Sequence, residues 1–325
     1  MPAHRQSTYR VLCLLLLSVG PAAADVAPTP QPPPGRLVWL AEVTDNWDIY
    51  QRATPGGETL RLTEHPAWDW GPALSPDGGR LVWLSTRDGQ EDIYLAQLTD
   101  AGLTGIERLT EDPHREGFVA WGPEDQDRLY YSALDHDGTG ERGFGDLYRL
   151  GLEGGAPERL TGRPGMHYAP CWCAGRLYYA CQPDSARLDY RLAELVEGEP
   201  RPVFVDGEAV RLIEYADHSP APPRAVGGDR LAVVRLVNGE ARLSVVDPRA
   251  GRLIREALID PATVRYPRPV DADGGLFIYA TAAGDDAELA LGRLGDGVFD
   301  QIARLTDNAH FDGYPSWAAR TGEAD

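Results

Sequence analysis

The sequence contains no lysine: all 31 basic residues are arginine, against 50 aspartates and glutamates, for a formal net charge of −19. No basic stripe offsets that balance, so binding to nucleic acid phosphates is excluded as a main activity. A cationic partner or a metal ion fits the charge better. Cysteine is scarce. Of four, Cys13 lies in the amino-terminal apolar run, leaving Cys171, Cys173 and Cys181. An odd number of thiols is not a full disulfide framework. Cys171 and Cys173 flank Trp172 and would form a strained ring if bridged. They read as small buried strand residues, although His167 nearby would complete a soft-metal set. Long apolar runs are also missing: the one at residues 11–19 is shorter than the roughly 20 residues that span a bilayer. No stretch keeps a helical period. Nor is there a Gly-x-Ser-x-Gly elbow, a His-Glu-x-x-His pair, a phosphate loop or a Gly-x-Gly-x-x-Gly turn.

What is present begins with an address. His4, Arg5 and Arg10 precede the apolar run, and Ala22, Ala23 and Ala24 follow it, which is the layout of a secretory signal peptide over residues 1–24. Arg10 so close before Cys13 does not suit lipoprotein cleavage. Residues 25–34 form a proline-rich leader. The expected product is exported, periplasmic or secreted, with no transmembrane segment after cleavage.

The remainder is a repeat. Arg-Leu-Thr occurs at Arg61, Arg108, Arg159 and Arg304, separated by about 50 residues or a multiple of it. Aligned on their threonines, the copies match without gaps for a dozen positions: the ninth residue is Pro72, Val119, Pro170 and Pro315, and the eleventh is Leu74, Trp121, Trp172 and Trp317. Each period reads as four short strands. In the clearest copy a first strand enters the turn Ser75-Pro76-Asp77-Gly78, an apolar second strand runs from Arg80 to Ser85, a third opens at Asp92-Ile93-Tyr94, and the last ends at Thr110. Six such units are in phase, at about 50 residues each, the size of a four-stranded propeller blade. The expectation is an all-β, six-bladed propeller over residues 35–320, with 321–325 as a tail. The first unit starts at its second strand, and the chain ends on a first strand, Phe311 to Trp317. Joining the two completes one blade and hides both open edges.

In a propeller, the loop after each outer strand crosses one face and delivers its last residues to the channel mouth. The sixth position after each threonine holds Asp69, Glu116, His167 and Asp312, with Asp217 and Arg265 at or near it in the weaker units. Five of the six later histidines, His65, His114, His167, His218 and His310, lie in the same loops. This predicts an acidic mouth that attracts an arginine- or lysine-bearing partner, a basic peptide or a hard cation. Trp70, Tyr168, Tyr266 and Tyr314, with Trp68, Phe118 and Phe311, would rim it and suit a protein or a sugar. Trp121, Trp172 and Trp317 recur at one inner-strand position and read as packing between blades. No cofactor is required. Calcium would have one place, the loop Asp135 to Gly140 with Asp146 twelfth, although its fifth and twelfth residues depart from an EF-hand pattern.

The Arg-Leu-Thr ends, the Ser75 to Gly78 turn and the Asp92-Ile93-Tyr94 strand together resemble the repeat of the TolB family of β-propellers, over essentially all of residues 35–317. The resemblance implies a non-catalytic, monomeric binding module of the cell envelope whose partner is a protein, as for TolB in the Tol–Pal system. TolB carries a further domain before its propeller, and here about ten proline-rich residues occupy that place. The same repeat occurs in propeller domains of prolyl oligopeptidase-type hydrolases and in oligogalacturonate lyases. A glycan-cleaving enzyme using carboxylates such as Asp69 and Glu116 is therefore the alternative.

Overall fold

The structure is a computed structural model that describes residues 30–122, 127–134, 145–153, 155–162, 165–183, 189–215, 219–281 and 287–319. Six antiparallel four-stranded sheets form the blades of a β-propeller. The inner strands, in blade order, are Phe311–Ala319, Asp69–Leu74, Arg115–Trp121, Met166–Cys173, Arg224–Val226 and Arg265–Pro269. A small extra hairpin, Phe204–Val205 with Glu208–Ala209, follows the fourth blade. Among the described residues no helix is long and apolar enough to cross a membrane.

Each second strand is apolar on both faces because it is covered by neighbouring blades on both sides. In Arg80–Ser85, Leu81, Val82, Trp83 and Leu84 are all fully buried. Their side chains divide between two cores: Val82 and Leu84 pack toward the third blade, Leu81 and Trp83 toward the first. The turn before this strand is set by its residues. The Gly78 amide donates to the Ser75 carbonyl at 2.8 Å, and Asp77 accepts from the Gly79 amide at 3.0 Å.

The Arg-Leu-Thr signature is a clasp between the third and fourth strands. The hydroxyls of Thr63, Thr110 and Thr161 accept from the amides of Ile49 (2.9 Å), Ile93 (2.9 Å) and Leu147 (3.0 Å). The preceding residues, Asp48, Asp92 and Asp146, take the guanidiniums of Arg61 (2.6 Å), Arg108 (2.8 Å) and Arg159. In the last blade Glu288 replaces the aspartate, accepting from Thr306 at 2.5 Å, while Arg304 turns to Asp307. The outer strands of the first and third blades, Leu60–Arg61 and Glu158–Arg159, are only two residues long, so this side-chain clasp holds what the ladder cannot. Thr110→Val is expected to lower the unfolding free energy by about 1–3 kcal/mol, since the buried Ile93 amide loses its acceptor. Thr104→Val, on the exposed outer strand, should leave urea denaturation unchanged.

The ring closes as the repeat phase predicts. Phe311–Ala319 pairs antiparallel with Gly35–Val43, from Gly35 opposite Ala319 to Glu42 opposite Phe311. The Leu74 amide of the next blade donates to Ser316 Oγ at 3.0 Å. The signal-peptide residues lie outside the described residues.

Candidate functional site

The sixth-position residues sit at the start of the inner strands with their side chains inside the blades. Asp69, Glu116, His167 and Asp312 are at most 3% exposed. Each lies against the aromatic residue of its own second strand. Asp69 accepts from Trp83 Nε1 at 3.1 Å and from Arg87 at 2.8 and 3.1 Å. Asp312 accepts from Trp39 Nε1 at 2.9 Å and from Asn308 at 2.7 Å. The His167 ring lies 5.5 Å from that of Tyr179. Glu116 faces Tyr131, whose hydroxyl it holds above the ordinary tyrosine range after burial itself. No counterpart of the indole bonds to Asp69 and Asp312 forms here, and neither Glu116 oxygen makes a hydrogen bond of ordinary geometry among the described residues. Burial, reinforced by the charge of Asp112, pushes the Glu116 carboxyl up to about 9. Burial also raises Asp312. The strand's alternation turns these four side chains toward the packing between blades, so the acids predicted for the mouth are structural at this level of the fold. Asp217 and His218 lie outside the described residues.

Two positions later every regular inner strand bulges. Gly71, Phe118, Ala169, Tyr266 and Tyr314 have φ between 45° and 62°, and the pairing register shifts at the same place in each blade. A bulge inserts one residue and resets which side chains face inward. The positive φ is sterically costly for the non-glycine residues, and at Tyr266 aromatic packing offsets it. Its ring stacks on Tyr314 at 4.1 Å, the two hydroxyls are 2.9 Å apart, and its amide donates to the Tyr215 hydroxyl at 3.1 Å. The Arg265 guanidinium lies over Tyr215 and Tyr266, at 5.7 and 5.3 Å. Trp70, Phe118, Tyr266 and Tyr314 converge on a narrow pocket of about 40 Å³ at the loop end of the channel. Tyr168 meets Phe118 edge to face at 6.3 Å. The structure thus brings together Trp70, Phe118, Tyr168, Tyr266 and Tyr314 of the aromatic set, with Arg265 over Tyr266, whereas Trp68 is exposed and Phe311 packs on Trp47.

Beyond the bulge, the channel opens into a cavity of about 710 Å³ at the far ends of the inner strands, where Pro33 of the leader also reaches it. The residue that faces this space is the tenth after the threonine. It is Ala73, Ala120 and Cys171 in the second to fourth blades, and the same register position in the first holds Ser316, which is buried against the Leu74 amide. In the fifth and sixth blades the matching register positions hold Arg224 and Arg268. Neither guanidinium has an ion-pair partner among the described residues, and Arg224 Nε has no hydrogen bond. Burial and the charge of Arg224 push Arg268 down to about 9. Trp121, Trp172 and Trp317 border the cavity while packing between blades: Trp121 donates to the Ala73 carbonyl of the preceding blade at 2.9 Å, and Trp172 stacks on Tyr130 at 5.2 Å.

The exposed acids of the loop face occupy the first position after the threonine rather than the sixth. Glu64, Glu111 and Asp307 are all exposed, beside exposed His65, His310 and Trp68, the last 54% accessible. The signal was in the sequence, since three of the four Arg-Leu-Thr copies are followed directly by an acid. Cys171, Cys173 and Cys181 are free and buried, and burial pushes their thiols up to about 11, 12 and 11. Among the described residues no three metal-ligating side chains cluster. The loop Asp135 to Gly140 lies outside the described residues, and Asp146 is engaged by Arg159 and Thr161 in the clasp.

No protein-family model matches the sequence, and no curated protein matches it. Solved structures do. TolB from Acinetobacter baumannii superimposes with a TM-score of 0.62 at 18% identity, covering 88% of this chain and 67% of that one. A chain of a nidogen/laminin complex gives 0.58 at 11% identity, covering 88% and 99%. The oligogalacturonate lyase of Vibrio parahaemolyticus gives 0.55 at 12% identity, covering 84% and 75%. At these identities the likeness is one of fold: the chain is a six-bladed propeller distantly similar to TolB-like propellers and equally to propellers that catalyse.

Proposed function

We propose that the chain is an exported, non-catalytic binding module that engages a basic protein surface or peptide of the cell envelope on its loop face. The observation that carries this reading is the triad of exposed acids at equivalent repeat positions, Glu64, Glu111 and Asp307, with Trp68 exposed beside them. Charges of one sign spaced around a rigid ring steer a cationic partner, and an exposed tryptophan supplies the apolar contact that such interfaces use at their centre. The fold's likeness to a protein in a nidogen/laminin complex and to TolB is consistent with it. The glycan-cleaving alternative finds less support, because Asp69 and Glu116 belong to separate blades, are both buried, and Asp69 is already held by Arg87.

The test compares the mature chain with the variant Glu64→Arg/Glu111→Arg/Asp307→Arg. The variant should melt at nearly the same temperature, because all three side chains are exposed and the ion pair lost, Asp307 with Arg304, lies in solvent, yet lose at least about tenfold in affinity for the captured envelope partner at low salt. Raising the ionic strength should bring the two proteins together. Equal affinity at low salt would remove the loop face from the account.

A further inference from the structure

Three of the six blades place a small residue, Ala73, Ala120 or Cys171, at the channel-facing tenth position, and two adjacent blades place arginine there. Ala73, Ala120 and Cys171 leave the space into which Arg224 and Arg268 project. The pairing of like charges is unusual in this chain. Acids outnumber arginines by 50 to 31, and many guanidiniums elsewhere are matched, as Arg87 is with Asp69, Arg108 with Asp92 and Arg235 with Glu256, while Arg52 and Arg255 bond to backbone carbonyls. Around Arg224 and Arg268 the nearest titratable groups are Cys171, Tyr215 and each other. With both thiol and phenol held above their ordinary ranges, none of these neighbours is an anion at neutral pH.

Both arginines are partly exposed to the cavity, and two like charges facing one space without a counter-charge repel each other, a cost that a bound anion removes. The opposite wall of the cavity is apolar and aromatic, formed by Leu74, Val119, Trp121 and Trp317. Its volume of about 710 Å³ is that of a small-molecule site. We propose that the central channel binds an organic carboxylate, its carboxyl held by the paired guanidiniums of Arg224 and Arg268 and its apolar body laid against the tryptophan wall. Guanidinium forks match carboxylate geometry, and an apolar lining favours a ligand with few other polar groups. Such a carboxylate belongs either to a small free acid or to the carboxyl terminus of a peptide, and both present the same chemistry to the site. The cavity lies beyond the bulge from the loop face, with Arg224 bordering both it and the narrow aromatic pocket, while Glu64, Glu111 and Asp307 line neither space.

The experiment is calorimetric titration of the mature protein with 3-phenylpropionate, 3-phenylpropionamide, inorganic phosphate and the peptide N-acetyl-Ala-Ala-Phe in its free-acid and amidated forms. At least one of the two carboxylates should bind, with its amide at least about tenfold weaker. The free acid binding more tightly than the peptide assigns a small metabolite, and the reverse order assigns a peptide terminus. Arg224→Gln and Arg268→Gln should each weaken the carboxylate by about tenfold or more while raising the melting temperature of the unliganded protein, since each relieves the like-charge pair. Arg249→Gln, on the exterior, should change neither. The Glu64/Glu111/Asp307 variant should bind the carboxylate as the unmutated chain does, which separates this site from the loop face. No binding of either carboxylate at millimolar concentration, amides that bind as well as acids, phosphate that binds as tightly as both, or affinity unmoved in both arginine variants would overturn the proposal.

Discussion

Removal of residues 309–325 is expected to abolish the cooperative thermal transition altogether. The segment contains the inner strand of the first blade, and its nine residues, Phe311–Ala319, seven of them paired with Gly35–Val43, bridge three blades at once. Ala318 joins the core formed with Leu74, Leu81 and Trp83 of the second blade. Trp317 packs on the core that holds Ile278 and Leu291 of the last. Asp312 satisfies the buried indole of Trp39, and Ser316 the buried amide of Leu74. Each large side chain returned to water costs about 1.5–3 kcal/mol, against a total stability for most domains of about 5–15 kcal/mol. The loss also frees the inner edge of Gly35–Val43 as an unpaired strand edge and bares an apolar face of the last blade, and both invite association between chains. Calorimetry should show a broad, low-enthalpy or absent transition. A sharp melt near that of the intact chain would mean that the other five blades and a three-stranded first blade are self-sufficient, and that the seam adds little.

The fold was legible because its determinants repeat. Arg-Leu-Thr and the aspartate opening the third strand recur since the clasp they form is needed in blade after blade, and the paired ends of the chain could be read from which strand of a unit each one supplied. The site was legible only in part, for a reason that lies in strand geometry. Counting from the threonine places a residue at the channel but does not say toward which face of the blade it turns. The bulge at Gly71, Phe118, Ala169, Tyr266 and Tyr314 then changes that phase, and among these residues only glycine signals a positive φ by its identity. Hence Asp69 and Asp312, which looked like mouth carboxylates, are acceptors for Trp83 and Trp39, whereas Tyr266 and Tyr314 do meet where the loop face narrows. Arg224 and Arg268 carry no repeat signal, because the fifth and sixth units lack the Arg-Leu-Thr anchor before their inner strands and nothing in the sequence fixes their tenth position.

Replacing Asp69 and Glu116, which share one repeat position, should change stability in opposite directions. Asp69 is fully buried with two donors, so Asp69→Ala leaves Arg87 and the Trp83 indole without an acceptor. Breaking a buried pair from one side costs about 3–5 kcal/mol, and because Arg87 keeps some access to solvent the lower end, about 3 kcal/mol, is expected. Glu116 has no such donors, and its carboxyl is pushed up to about 9 from an ordinary 4.5. The sign follows from proton counts. Between those two values the folded chain holds a proton on Glu116 that the unfolded chain has released, so stability falls as pH rises. The contribution is complete below about pH 4.5 and is lost on the way to about pH 9, with a slope of up to about 1.4 kcal/mol per pH unit. Glu116→Gln keeps the shape of the protonated side chain and has nothing to ionise. Urea unfolding should therefore give the Gln variant and the unmutated protein stabilities within about 1 kcal/mol of each other at pH 5 and favour the variant by up to about 4–5 kcal/mol at pH 8. Curves that stay parallel from pH 5 to 8 would show that Glu116 is ionised in the fold. That outcome would place a buried negative charge beside Tyr131 and require a donor for it, as Trp83 and Arg87 serve Asp69.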